Sequence, residues 1–186
     1  MRPLVLVGLA AGLALAPTAR AGELDLDVGL AATSTDWAGD RGGGGTLDVS
    51  WWVRPYLGFS FIGKEQYATV DERLLEYLSV NVEARRAAGP TRLIATVGLV
   101  HQHEEPLPGV ENQPIQSILG VGDGIRHRAG LRGGARVALP IRRHRHGDFY
   151  AALEADATWF GDDRGPRWMI GAGLALGFTY DFARAP

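Results

Sequence analysis

The chain has 186 residues, 22% of them charged, a formal net charge of −2 and no cysteine. That length fits one domain. The near-neutral balance excludes bulk attraction to a polyanion, so no nucleic-acid partner is expected, and the lack of cysteine excludes a disulfide framework.

In chain order, the first segment stands apart from the fold. Arg2 precedes the apolar run "PLVLVGLAAGLALAP", and "TARA" supplies small residues at Ala19 and Ala21. A positive start, a short apolar stretch and an A-x-A site are the layout of a cleavable signal peptide over 1–21. The run is short for a transmembrane helix. Cleavage removes Arg2 and Arg20, taking 19 basic residues to 17 against 21 acidic ones, a formal charge of −4. An exported chain without disulfides must gain stability in another way. A closed barrel in lipid is one, because its strands satisfy each other's backbone groups.

Residues 22–186 read as one domain. Apolar residues alternate with polar or small ones at a period of two, which predicts strands with one apolar face. Eight are predicted, at about 23–34, 45–54, 56–67, 74–86, 91–104, 125–139, 148–160 and 167–182. The first sets Leu24, Leu26, Val28 and Leu30 against Glu23, Asp25, Asp27 and Gly29. The second sets Leu47, Val49, Trp51 and Val53 against Thr46, Asp48, Ser50 and Arg54, with Trp52 out of pattern. In the third, Leu57, Phe59 and Phe61 oppose Gly58, Ser60 and Lys64. In the fourth, Leu78, Val80 and Val82 oppose Tyr77, Ser79, Asn81 and Glu83. The fifth sets Leu93, Val97 and Leu99 against Arg92, Thr96, Gly98 and Gln102. The sixth sets Leu131, Ala135, Val137 and Leu139 against Arg128, Arg132, Gly134 and Arg136. The seventh sets Phe149, Leu153 and Trp159 against Tyr150, Glu154 and Asp156. The last sets Trp168, Ile170, Leu174 and Leu176 against Gly171, Gly173, Gly177 and Asp181.

The connections alternate in length. Short ones fall at 54–56, 87–90 and 140–148, and longer polar ones at 35–45, 68–73, 105–124 and 161–167. Short turns on one side and long loops on the other, with an even strand count, suit an outer-membrane barrel with its long loops outside. Three features favour apolar-out over the lipocalin-like inverse, a soluble ligand-binding barrel. Glycines crowd the polar register and leave room for long neighbours in a narrow interior. Aromatics gather near strand ends, with Trp51, Tyr56, Phe149, Tyr180 and Phe182 at one rim and Trp37, Tyr67, Trp159, Phe160 and Trp168 at the other. The polar register is also nearly charge-balanced, as buried charges require.

Signal peptide, eight amphipathic strands and the final "LALGFTYDF" resemble the small bacterial outer-membrane β-barrels, the OmpA/OmpX/OmpW-like group. The resemblance covers nearly all of 22–186 and is one of architecture. It implies an all-β, eight-stranded antiparallel up-and-down transmembrane barrel with a structural or interaction role. It also implies a terminal aromatic read by the barrel-assembly machinery. Phe182 is that residue here, although "ARAP" follows it. The implied partners are outer-membrane lipid, lipopolysaccharide and the assembly machinery, with a monomeric state.

Candidate chemistry is sparse. Arg128, Arg132 and Arg136 face Glu154 and Asp156 on the next strand, which predicts a lumen ion-pair network in a barrel just wide enough for its side chains. "HQHEE" places His101, His103, Glu104 and Glu105 at the outer end of the fifth strand, and His127 and Asp123 lie across the long loop. Three histidines and a carboxylate can ligate zinc. A lipid hydrolase, as in the lipid A deacylases among such barrels, would need Ser117 beside one of these histidines and Glu104 to orient it. Neither convergence is expected, because His127 must find register across a long loop. No metal, cofactor or catalytic residue is therefore assigned. His144 and His146 in "IRRHRHGD" read as a solvated turn. "GDRGGGG" at 39–45 lacks the residues of a phosphate loop.

Overall fold

Eight antiparallel strands close on themselves in sequence order, β1 pairing with both β2 and β8. They are β1 (Glu23–Thr35), β2 (Arg41–Arg54), β3 (Leu57–Ala68), β4 (Arg73–Ala88), β5 (Thr91–Pro106), β6 (Arg126–His144), β7 (Gly147–Phe160) and β8 (Trp168–Asp181). The structure, a computed structural model, describes residues 22–112, 114–118, 121 and 124–183. Residues 1–21, over which a signal peptide is expected, Asp123 and the last three residues after Ala183 lie outside the described residues.

The faces are those of a transmembrane barrel. Leu30, Val80, Val97, Leu99, Ile170 and Leu174 point outward and are exposed, whereas Asp25, Asp48, Lys64, Glu83, Arg128 and Arg136 are buried inside. This overturns the lipocalin-like alternative, in which the apolar register would face in. Trp52, out of pattern in the sequence, turns inward at 1% exposure and donates from Nε1 to Asp25 Oδ2 at 2.8 Å. Phe160 is likewise buried inside rather than part of an aromatic rim, because it sits one residue off the register of Trp159. Gly177 shows why the polar register is rich in glycine. A Cβ there would lie 2.1 Å from Asp27 Oδ1 and 2.4 Å from the Tyr150 ring.

Two strands run further than alternation suggests. β2 begins at Arg41, so the glycine run pairs in the sheet, with Gly43 opposite Tyr67 and Gly44 opposite Gln66. Glycine carries no side-chain pattern and a poor strand propensity, so this stretch resembles a loop. β6 continues through Pro140 to His144 and turns tightly into Gly147. The register shifts between Pro140 and Arg142, as expected where proline removes a ladder donor. The bulge and the charge run together hide the strand.

The loops still sort by length. β2–β3, β4–β5 and β6–β7 turn tightly, with Gly89 at φ +62° in the second of these. The β5–β6 loop carries two short helices, Leu107–Asn112 and Pro114–Ile118, where no regular structure is predicted. Proline early in each suits a helix start, where its missing N–H costs nothing. A 3-10 turn, Val70–Glu72, joins β3 to β4.

Candidate functional site: a packed lumen and a histidine rim

The inward register builds three layers of ion pairs. At the short-turn end Arg136 reaches across the lumen to Asp27 at 2.5 Å, Asp48 at 2.6 Å and Glu83 at 3.5 Å. Arg92 meets Asp25 at 3.3 Å, and the Arg85 guanidinium lies 4.2 Å from the Trp52 ring. In the middle Lys64 contacts Asp156 at 2.5 Å and Glu154 at 4.0 Å, and Arg132 meets Asp156 at 3.4 Å. Tyr77 and Thr158 share a hydroxyl hydrogen bond of 2.7 Å beside them. At the long-loop end Glu104 gathers Arg73 and Arg128, each at 3.0 Å, together with Arg126. Arg73 also pairs with Asp40 at 2.8 Å.

Arg132 and Asp156 thus meet, while Arg128 does not reach Glu154 or Asp156. The ladder ends by pairing Gly130 with Phe160, so Arg128 lies level with the β7–β8 loop and binds Asp162 at 2.9 Å instead. Asp162 is held below the usual carboxylate range. Its slight burial pushes it up, and hydrogen bonds from Arg164 and Arg128 outweigh that. Arg136 is the register partner of Glu154, yet its side chain crosses to β1, β2 and β4. The sequence reading missed Arg73 and Asp40. Extending the β4 parity of Tyr77, Ser79 and Asn81 back by two steps would have placed Arg73 inside.

The histidines depart most from expectation. His103 is the direct partner of His127 in the β5–β6 ladder, and His101 pairs with Ala129 beside it. Strand pairing fixes this register whatever the loop length. All three project outward, with ring centroids 4.6–5.4 Å apart. One ring nitrogen from each lies within 4.8 Å of the others, and His127 Nδ1 is 3.3 Å from His101 Nε2. His103 Nδ1 is 3.3 Å from Glu76 Oε2, its partner across β4. Glu104 cannot orient a histidine, because it belongs to the inward register. Ser117, buried on the second short helix, lines one small cavity with His103, Glu76 and Glu105.

Beside the histidines the outer wall is hollowed. A groove of about 700 Å³ is lined there by Gly45, Gly63, Leu47, Leu74 and Leu78 together with Glu65, Glu76 and His103.

No protein-family model and no curated protein matches the sequence. Solved structures do. Neisserial surface protein A aligns with a TM-score of 0.56 at 14% identity over 87% of this chain and 97% of that one. The N-terminal β-barrel domain of Pseudomonas aeruginosa OprF gives 0.58 at 14% identity over 88% and 100%. Ail, the attachment invasion locus protein of Yersinia pestis, gives 0.54 at 15% over 86% and 99%. At such identity the likeness is one of fold: this chain has the fold of the small eight-stranded outer-membrane barrels.

Proposed function

We propose that the protein is a small outer-membrane barrel with a structural or interaction role, its lumen closed by side chains and its long loops displayed outside. The observation that carries this is the pairing of an apolar outer wall with a charged, buried interior. A wall of that kind calls for an apolar surrounding such as lipid, and an eight-stranded interior is just wide enough for its side chains to fill. The long-loop end exposes apolar side chains, Ile115 and Val121, on the β5–β6 loop, as a surface for contact would. Attachment is named for Ail, one of the similar structures, and fits such a surface here. Outer-membrane lipid and lipopolysaccharide surround the wall, the assembly machinery reads the β8 end at Phe182, and the barrel is a monomer.

Membrane fractionation with gel heat-modifiability tests this reading. The folded chain should stay in the outer-membrane fraction and shift in mobility only on boiling. Planar bilayers should show no large steady conductance. Recovery in the soluble periplasmic fraction, or a porin-like step, would sink it.

A second reading, lipid hydrolysis, rests on one observation: Ser117, His103 and Glu76 surround a common cavity. His103 would take the Ser117 proton through Nε2 while Glu76 holds Nδ1. Fatty-acid release from lipopolysaccharide, lost in Ser117→Ala, is its test.

A further inference from the structure

We infer that His101, His103 and His127 form a binding site for a zinc-class divalent metal on the outer wall at the long-loop rim. Three observations carry this. First, the nitrogens are spaced as ligands. Tetrahedral coordination at 2.0–2.1 Å sets adjacent ligand nitrogens about 3.3–3.4 Å apart. His127 Nδ1 and His101 Nε2 stand at 3.3 Å. The set as a whole offers one ring nitrogen from each histidine within 4.8 Å of the others.

Second, His103 is oriented as metal-bound histidines are. Its Nδ1 lies at 3.3 Å from Glu76 Oε2, which leaves Nε2 for the ion. A carboxylate on the far nitrogen fixes the tautomer and raises ligand basicity. Glu65 stands opposite Glu76 in the β3–β4 ladder, so the surroundings favour a cation.

Third, the histidines interrupt an apolar face. On β5 the outward register reads Leu93, Val97 and Leu99 before His101 and His103, and on β6 Leu131 follows His127 by four residues. Grouped imidazoles at such a boundary find few partners but one another, and an ion supplies one. Three protein ligands leave a fourth position open beside the groove. The site and a Ser117-based triad exclude each other, because both need His103 Nε2.

The test uses the untagged chain 22–186 refolded in detergent micelles. Co²⁺ is titrated for the visible absorption of tetrahedral nitrogen ligation, and Zn²⁺ is measured by competition with a chelator. One equivalent should bind. His127→Ala or His101→Ala should weaken binding by at least about 100-fold, and Glu76→Gln by about 10–100-fold, the range for a lost outer-shell partner. The double variant His144→Ala/His146→Ala should leave binding unchanged. Heat-modifiability confirms that each variant is folded. No saturable single site in the folded wild type overturns the proposal. So does affinity insensitive to His127→Ala, or affinity that follows His144 and His146.

Discussion

The inside and the outside of this barrel are made by the same strands and held by opposite physics. Inside, stability depends on each charge finding another: Arg136 alone serves three carboxylates on three strands. Outside, it depends on having no charge at all across the apolar band. The lesson is that an inward residue is defined by its partners and an outward one by its depth. The rim histidines follow neither rule, being outward, polar and mutually close.

Arg136→Ala should break the inner rule most. It strands Asp27, Asp48 and Glu83 together, and losing one partner of a buried pair costs about 3–5 kcal/mol. Urea titration of folding in lipid vesicles measures it, and a loss below about 1 kcal/mol would mean a wet lumen. On the outer face Leu174→Arg or Leu131→Arg should each cost about 2–4 kcal/mol, as for a charge at the bilayer midplane. Unchanged folding of either in vesicles would refute the face assignment.

A smaller effect sharpens the contrast at the rim. Asp162 has a folded pKa below its ordinary 3.8, so its contribution is present above the unfolded value and lost as pH falls through the folded one. The difference in melting temperature between wild type and Asp162→Asn should be steady near neutral pH and close below pH 3.8. Smallest of all, His127→Ala should change metal-free stability by no more than about 0.5 kcal/mol, as for an exposed surface residue. A large loss there would make the histidine cluster a packing feature of the wall.

Alternation made the eight strands legible because a barrel wall has two unlike sides along its whole length. It failed at Gly42–Gly44, where there are no side chains to alternate, and at Arg142–His144, where charges occupy both registers past the bulge. Register parity placed Arg132 beside Asp156, but it could not say that Arg136 spans the lumen, since an arginine is long enough to pass over its neighbour. The histidine convergence was hidden for another reason. Loop length misled, whereas the pairing of Gly98 with Arg132 and of Leu99 with Leu131 already fixes where His103 meets His127.

Seven of the barrel's eight seams join strands adjacent in the chain, and the β1–β8 seam does not. It runs from Glu23 opposite Asp181 to Thr35 opposite Met169, nearly the full span of the sheet. Hairpins form quickly from local contacts, while a seam between distant segments waits for chain closure. Until then the polar side of the sheet remains hydrated and its carboxylates and guanidinium groups have water as their partner. Shutting the seam and expelling that water are therefore one kinetic event. The growing sheet offers lipid its apolar side early and surrenders its hydration only at the last step.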